Sequence, residues 1–302
     1  MKKIAITGAG GYLGGRIFNE LKSNPNYSVI GYSSNENNGT SKLDYCSLQE
    51  CVEATKGIST VIYSSGYDAK KCDEGRTILI EDQLKLTTFL SACLLNNVKR
   101  FIYISSAHVY SKFLCGHIDE RHPLNSDIPY AINHIQKECI CKLYSKKIEI
   151  IVLRLSNSVG YPINSNINCW NLFVNDVCKQ AYTNNKIIIN GNINLLRDYV
   201  AIEDVIQGLK IVIDYQRNFE NVIFNLGGDF TRSLFEMATI VREVFNSRYN
   251  YSIGIEYDIE KATKLYTFKY SINEIKNLGY FPQSHERLIS EINGIFDALE
   301  CC

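Results

Sequence analysis

The sequence has no excess charge of either sign, no long apolar run and no paired cysteine spacing. Its 32 Lys and Arg residues balance 32 Asp and Glu residues, so no net field attracts nucleic acid or an anionic membrane. The apolar residues near Met1 stop at glycines too soon for a secretory signal, and no run approaches the length of a membrane span. We therefore expect a cytoplasmic protein without a nucleic-acid or membrane partner.

The 11 cysteines do not indicate disulfides or a metal site. They are scattered, and neither Cys139 and Cys141 near His134 nor Cys115 near His117 has the paired spacing of a zinc site. In a cytosolic protein such thiols stay reduced and act as small apolar side chains. We expect no bound metal.

Predicted strands alternate with predicted helices over much of the chain. Tyr27 to Ser33, Thr60 to Ser64 and Arg100 to Ser105 are typical strands, and a long helix is expected from about Ile78 to Asn96. This order predicts an α/β fold with a Rossmann-like doubly wound parallel sheet, in which ligands lie past the carboxyl ends of the strands.

The stretch from Ile4 to Gly15 predicts a strand, a tight turn and a helix. Gly8, Gly11 and Gly14 recur at every third position after a short apolar strand. Glycine lets backbone approach a pyrophosphate closely, and the amides that open the helix then face the phosphate. The stretch indicates a dinucleotide-binding turn, although an ordinary strand-to-helix turn is the alternative.

The second predicted strand ends in hydroxyl side chains, Ser33 and Ser34, where a carboxylate would select NAD. Hydroxyls tolerate a 2′-phosphate, so this end favours NADP(H), with NAD(H) as the alternative cofactor. The same serines are also typical turn residues, and a loop is expected from Asn35 to Ser41.

Further candidate cofactor residues follow in sequence. Asp44 is a candidate acceptor for an adenine amino group, or else caps the next helix. Ser64, Ser65 and Gly66 end the next strand with small residues that would let a cofactor lie across it.

A hydroxyl and a phenol are expected near the same strand ends. The strand from Arg100 delivers Ser105 and Ser106, and Tyr130 and His134 lie four apart on a predicted helix, so they share one face. A serine and a tyrosine that converge there would bind a carbonyl oxygen and protonate it. A packing role for Tyr130 and His134 is the alternative.

Seven motifs in order resemble the extended short-chain dehydrogenase/reductases, in particular the nucleotide-sugar epimerases, dehydratases and 4-ketoreductases. The matching segments are TGAGGYLG from Thr7, LDY from Leu43, VKRFIYISSAHVY from Val98, PYAINH from Pro129, LRLSNSVGYP from Leu153, RDYVAIEDV from Arg197 and FNLGG from Phe224.

The resemblance implies roles for individual residues. Ser106 matches the catalytic hydroxyl and Tyr130 the acid/base phenol, while Asn157 and Arg197 match residues that contact the nucleotide-sugar diphosphate. The cofactor-binding residues expected are Gly8, Gly11, Tyr12, Leu13, Gly14, Ser33, Ser34, Asp44, Tyr45, Ser64, Ser65, Gly66, Ser105, Tyr130 and His134.

Two departures from the family pattern bear on catalysis. The family has Tyr-x-x-x-Lys, but here His134 lies four residues after Tyr130, and an imidazole is often neutral at pH 7. One interpretation is that a protonated His134 replaces the lysine in part; the alternative is a slow site or one that binds without turnover. Lys137 lies about two turns from Tyr130, at an angle that we expect to be poor for rescue. Asp82 stands where an asparagine is usual, and a helix-surface carboxylate is one interpretation.

We expect residues 1–160, with 197–228 returning, to form the cofactor domain. Residues 161–196 and 229–302 are expected to form a smaller substrate-binding α/β lobe. The preferred function is a 4-keto-6-deoxysugar nucleotide reductase of surface polysaccharide or deoxysugar synthesis, acting as a homodimer. The alternatives are a 4-epimerase with tightly held NAD, and a non-catalytic binder of NAD(P) or a nucleotide sugar.

Overall fold

The structure is a computed structural model that describes residues 1–35, 39–164, 166–217, 219, 222–263 and 266–301. The predicted loop from Asn35 to Ser41 thus lies partly outside the described residues. The first half of the chain forms β1 (Lys2–Thr7), α1 (Tyr12–Lys22), β2 (Tyr27–Ser33), β3 (Ser41–Lys42), α2 (Leu48–Ala54), β4 (Thr60–Tyr63), α3 (Ala69–Cys72), α4 (Arg76–Leu95), β5 (Arg100–Ser106), β6 (Gly116–Ile118), α5 (Pro129–Tyr144) and β7 (Glu149–Leu155).

The second half continues with shorter strands and four longer helices. Its elements are β8 (Asn157–Val159), α6 (Phe173–Asn184), β9 (Lys186–Ile189), β10 (Leu196–Ala201), α7 (Ile202–Asp214), β11 (Val222–Leu226), β12 (Thr231–Ser233), α8 (Leu234–Tyr249), β13 (Gly254–Tyr257), β14 (Phe268–Tyr270), α9 (Asn273–Lys276) and α10 (Ser284–Glu300).

A seven-stranded sheet has the order β11-β7-β5-β4-β1-β2-β3. All pairings from β7 across to β3 are parallel. The central strands β4 and β5 are buried along their whole length, as apolar strands covered by helices on both faces must be. These findings confirm the predicted α/β fold with a Rossmann-like parallel sheet.

Contacts between Cα atoms divide the chain into two compact units. The first unit comprises residues 1–112, 122–155 and 210–224, and the second comprises 113–121, 156–209 and 225–302. Of the range 197–228, which was expected to return to the cofactor domain, residues 210–224 cluster with the first unit. The chain passes between the units more than once, so no single cut separates them.

Each unit has its own apolar core. In the first unit, side chains of α2 and α4 such as Cys51, Leu86 and Phe89 pack on Tyr63 and Tyr103 of the sheet. In the second unit, α6, α8 and α10 pack together around a separate cluster of buried aliphatic and aromatic residues. Among the described residues, no helix is both long enough and apolar enough to cross a membrane.

Candidate active site

A tight glycine turn joins β1 to α1. Gly8 has a φ of +68°, and a Cβ there would lie 2.9 Å from the Ser64 carbonyl oxygen. A Cβ on Gly14 would lie 2.2 Å from the Gly8 carbonyl oxygen. Both positions therefore require glycine, because backbone passes too close to backbone for any side chain.

The N-terminus of α1 is available to an anion. Gly11 precedes the first turn, has no side chain with which to cap it, and is followed by a first turn that contains no acidic residue. Uncapped N–H groups at a helix N-terminus carry partial positive charge and bind phosphate oxygens. The crowded glycine turn and the uncapped helix together fit the pyrophosphate of a dinucleotide.

The turn borders a cavity of about 270 Å³ at the carboxyl ends of β1, β2 and β4. Its walls include many of the predicted cofactor residues, namely Gly8, Gly11, Ser33, Ser34, Tyr45, Ser64, Ser65 and Gly66. Wall residues that the sequence analysis did not assign to the cofactor are Gly10, Asn35, Tyr63, Tyr67, Asp82 and Lys85. The predicted residues Tyr12, Leu13, Gly14, Asp44, Ser105, Tyr130 and His134 lie outside this lining.

Tyr45 and Thr7 join the strand ends beneath the cavity. The Tyr45 hydroxyl donates to the Tyr32 carbonyl oxygen at 3.1 Å and accepts from the Gly8 amide at 3.4 Å. The Thr7 hydroxyl accepts from the Ser64 amide at 3.2 Å. Burial raises the pKa of Tyr45 to about 12, so the phenol stays neutral and can donate. These bonds give the cavity a rigid floor.

Ser33 and Asp44, which were predicted to contact the adenosine half of the cofactor, form hydrogen bonds within their own loops. The Ser33 hydroxyl donates to the Asn35 carbonyl oxygen and lies 3.1 Å from the Thr40 hydroxyl, so its hydrogen is already used. The exposed Asp44 carboxylate accepts from the Cys46 amide at 2.9 Å and closes a turn. Both side chains thus hold turns, which was the alternative interpretation for Ser33. For Asp44 the alternative was a cap on the next helix, but the N-cap of that helix is Ser47.

Ser106 and Tyr130 are neighbours in the first unit. The Ser106 hydroxyl accepts from the His108 amide at 3.2 Å and lies close enough to the Tyr130 phenol to influence its pKa. Burial raises the pKa of Tyr130 to about 12, although the neighbouring Ser106 hydroxyl acts to lower it. The phenol is therefore protonated at neutral pH, and a hydroxyl stands beside it.

His134 lies beside Tyr130 but carries no charge. The two rings are 4.6 Å apart with an interplanar angle of 71°, as the four-residue spacing predicts. Burial lowers the pKa of His134 well below its usual value, and the charges of Lys137 and His108 lower it further. Of the two interpretations, the lowered pKa does not favour a protonated imidazole in place of the family lysine at neutral pH.

Lys137 and Asp82 form a buried ion pair at the cavity wall. The Lys137 Nζ lies 2.9 Å from the Asp82 Oδ2 and 3.3 Å from the Ser65 carbonyl oxygen, and Lys137 is only 1% exposed. The Asn133 amide donates to the same Oδ2 at 2.6 Å. Asp82 is therefore not a surface carboxylate. Seven residues turn a helix through nearly two full turns, so Lys137 lies on the same helix face as Tyr130, but its ammonium is paired with Asp82.

Ser105 belongs to a buried polar network rather than to the cavity wall. Its hydroxyl donates to Glu138 Oε1 at 2.5 Å, and Glu138 also accepts from Arg154 at 2.7 Å. Arg154 in turn donates to the Tyr110 hydroxyl at 2.9 Å. This network ties α5 to β5 and β7, and it uses the side chain that the sequence analysis assigned to the cofactor.

The predicted diphosphate contacts lie in the second unit. Asn157 in β8 pairs with Tyr199 in β10, and the Asn157 amide donates to the Asp198 carbonyl oxygen at 3.0 Å. Arg197, also in β10, lies with its guanidinium 5.9 Å from the centre of the Phe173 ring. The structure thus brings Asn157 and Arg197 onto neighbouring strands. No group of three or more potential metal ligands occurs among the described residues.

Some of the missed residues left a signal in the sequence. Lys85 follows Asp82 by three residues on α4, so both lie on one side of that helix. The seven-residue interval from Tyr130 to Lys137 on α5 is a heptad, which is the signal that Lys137 faces inward. Tyr63 and Tyr67 flank the predicted Ser64 to Gly66 segment.

Comparisons with known proteins agree with this architecture. The family model described as NAD dependent epimerase/dehydratase matches residues 4–227. A putative UDP-glucose 4-epimerase of Methanocaldococcus jannaschii is 25% identical and covers 93% of each chain. The human dTDP-D-glucose 4,6-dehydratase is 22% identical over 93% of this chain and 86% of its own.

A solved structure shares the fold over nearly the whole chain. The UDP-glucuronic acid 4-epimerase of Bacillus cereus, in complex with UDP-glucuronic acid and NAD, superposes with a TM-score of 0.82 at 19% identity, covering 99% of both chains. The family model spans most of the chain, and the resemblance drawn from the motifs is confirmed. This chain belongs to the NAD-dependent epimerase/dehydratase family of the extended short-chain dehydrogenase/reductases.

Proposed function

We propose that this protein reduces the 4-keto group of a 4-keto-6-deoxy nucleotide sugar. The single observation that carries the proposal is the Ser106–Tyr130 pair, in which a protonated phenol stands beside a hydroxyl. A reaction that ends by protonating a ketone oxygen needs a phenol, whereas one that begins by deprotonating a sugar alcohol needs a phenolate. A protonated Tyr130 beside Ser106 suits the first reaction.

The surroundings of Tyr130 do not favour a phenolate. His134 is neutral, and the charge of Lys137 is compensated by Asp82 at 2.9 Å. A nearby uncompensated cation would lower the pKa of the phenol and prepare it as a base. Tyr130 is therefore suited to donate its proton to the C4 oxygen, while Ser106 donates a hydrogen bond that stabilises the charge developing there.

The proposed cofactor is a pyridine nucleotide held at the glycine turn. When bound, it supplies the hydride that reduces the C4 carbon. The turn at Gly8 and Gly14 and the uncapped start of α1 would hold its pyrophosphate, and the walls at Ser64 to Gly66 would adjoin its central part.

NADP(H) is the preferred form within this proposal. β2 ends in Ser33 and Ser34 rather than in a carboxylate that would repel a 2′-phosphate. In addition, the Lys22 ammonium lies 3.6 Å from the position of a Cβ on Gly39, in the loop after β2. Parallel fluorescence titrations with NADPH and NADH test the preference, which is overturned if NADH binds more tightly.

A nucleotide sugar is proposed as substrate because the similar proteins are named for UDP-glucose, dTDP-D-glucose and UDP-glucuronic acid. Arg197 and Asn157 would contact its diphosphate, since a guanidinium binds phosphate oxygens through two hydrogen bonds. We place the reaction in deoxysugar or surface polysaccharide synthesis. We also propose that the protein is located in the cytoplasm, because every cysteine among the described residues is a free thiol.

A 4-epimerase is the second candidate, because two of the similar proteins named above carry that activity in their names.

The test is to incubate the purified protein with NADPH and a 4-keto-6-deoxy nucleotide sugar and to follow the absorbance of the reduced nicotinamide. Consumption that disappears in Tyr130→Phe supports the reductase. Cofactor that co-purifies as NAD, with interconversion of C4 epimers, supports the epimerase; binding without any turnover supports a non-catalytic role.

A homodimer through α4 and α5 is also proposed. Ile80 and Leu84, four apart on α4, are 64% and 53% exposed, and Leu143 on α5 is 81% exposed. Large apolar side chains grouped on helix faces favour association. Sedimentation equilibrium of the wild type and of Leu84→Glu tests this, and a wild type that stays monomeric at micromolar concentration would overturn it.

A further inference from the structure

His134 makes one short hydrogen bond, and its geometry determines where the imidazole proton lies. The Nδ1 atom is 2.6 Å from the hydroxyl of Tyr103 on β5. Among the described residues, Tyr103 is the only hydrogen-bond partner of this ring. A neutral imidazole carries its proton on one nitrogen only, so the direction of this bond fixes the tautomer.

Tyr103 must be the donor in that bond. Its side chain is 1% exposed, and its hydroxyl has no other hydrogen-bond partner among the described residues. If Nδ1 carried the proton, the phenol would accept and its own buried O–H would have no acceptor, which costs free energy. When the phenol donates, both atoms are satisfied and the imidazole proton resides on Nε2.

The free nitrogen of His134 is on the side of the ring away from Tyr103. His134 is only partly buried, and its Nε2 is not among the buried polar atoms that lack a partner. The ring stands 4.6 Å from that of Tyr130, centre to centre. A ligand that reaches Tyr130 therefore comes close to an accessible N–H donor.

We infer that Tyr103 is a positioning residue, which holds His134 as the neutral Nε2–H tautomer so that it offers one uncharged donor to a hydroxyl oxygen of the ligand. The family lysine would offer a charged donor at the same helix position. The recognised oxygen belongs either to a ribose hydroxyl of the cofactor or to a hydroxyl of the substrate sugar. The inference rests on the proposed use of this site, but the tautomer exists without any ligand.

The first test is a nitrogen-15 NMR spectrum of the imidazole in the free protein at pH 7. The expected pattern has Nε2 protonated and Nδ1 unprotonated for His134, and Tyr103→Phe converts it to a mixture of tautomers. Tyr63→Phe is the matched control, because it removes a fully buried phenol whose hydroxyl has no partner, and it leaves the His134 pattern unchanged. An Nδ1–H tautomer or a charged imidazole in the wild type would overturn the inference.

The second test uses two amide replacements. His134→Gln places an amide N–H near the position of Nε2, whereas His134→Asn places one near Nδ1. If the oxygen belongs to the cofactor ribose, the Gln variant should bind NADPH within about threefold of the wild type and the Asn variant about two- to tenfold more weakly, the effect of one hydrogen bond.

Two measurements, the Kd of NADPH and the KM of the 4-keto sugar, show whether the recognised hydroxyl belongs to the cofactor or to the substrate. A difference in the Kd of NADPH identifies the cofactor ribose, whereas equal Kd values with different KM values for the 4-keto sugar identify the substrate. Identical behaviour of both variants in both measurements contradicts a donor role for Nε2. Failure to bind any pyridine nucleotide contradicts the proposed function instead, while the tautomer result in the free protein stands separately.

Discussion

The Lys137 ammonium and the Asp82 carboxylate form an ion pair of 2.9 Å, with the two side chains only 1% and 3% exposed. In sequence, Lys137 and Asp82 are two charged residues on separate helices with no evident relation. In the structure they compensate each other, because a single buried charge would be costly and a pair is tolerated. The family lysine would place a positive charge beside the phenol. In this chain His134 does not supply that charge, and the charge of Lys137 is compensated by Asp82.

A double-mutant cycle tests this compensation. Lys137→Met and Asp82→Asn should each lower the free energy of unfolding by about 3–5 kcal/mol, because each leaves one buried group without its partner. The double variant should lose less than the sum of the single losses. Urea unfolding of the four proteins provides the measurement, and strictly additive losses would show that the two side chains are not coupled.

Ser106 and Ser105 are adjacent residues with separate roles. Ser106→Ala removes the hydroxyl beside Tyr130, and we expect kcat to fall by about 10²- to 10³-fold. The loss of its bond from the His108 amide should also lower the free energy of unfolding by about 0.5–2 kcal/mol. Ser105→Ala is the matched variant, because its hydroxyl bonds to Glu138 in the interior. It should lower the free energy of unfolding by about 1–3 kcal/mol and change kcat little. A large loss of kcat in Ser105→Ala but not in Ser106→Ala would contradict these two roles.

The glycine turn should not tolerate a methyl group. A Cβ on Gly14 would lie 2.2 Å from the Gly8 carbonyl oxygen, so Gly14→Ala must displace the turn and should weaken NADPH binding more than about tenfold. Gly254→Ala is the control, since nothing lies within 4 Å of a Cβ there. Calorimetric titration measures both, and unaltered binding in Gly14→Ala would refute the assigned pyrophosphate site.

The neutral state of His134 predicts a specific acid effect on stability. Tyr130 and Tyr103 face the His134 ring. Burial is the largest cause of its lowered pKa, followed by the charges of Lys137 and His108. Below about pH 6.5 the unfolded chain binds a proton at this position while the folded protein does not, so stability falls with falling pH by up to about 1.4 kcal/mol per pH unit.

His134→Gln should reduce this acid dependence. Other groups titrate in both proteins, including Asp198, whose pKa burial raises to about 6, so only the difference between variant and wild type is informative. Thermal or urea unfolding between pH 7 and pH 5 gives that difference. Equal pH slopes in both proteins would mean that His134 is protonated in the folded state.

Periodicity and turn chemistry predicted the parallel sheet, the glycine turn and the shared face of Tyr130 and His134, because these depend on neighbours in sequence. The ionisation of His134 was not predictable from sequence, since it depends on burial and on the charge of Lys137. The loop roles of Ser33 and Asp44 depend on backbone groups that a sequence does not reveal.

Isotope transfer tests the central claim most directly, namely that Tyr130 protonates a ketone oxygen as the carbon beside it is reduced. The protein is incubated with NADPH that carries deuterium at the transferred position and with a 4-keto-6-deoxy nucleotide sugar, and the product is analysed by NMR. The account predicts one deuterium at C4 of a stoichiometrically reduced sugar, and no such product from Tyr130→Phe. Epimers at C4 without incorporated deuterium, or reduction that persists in Tyr130→Phe, would contradict it.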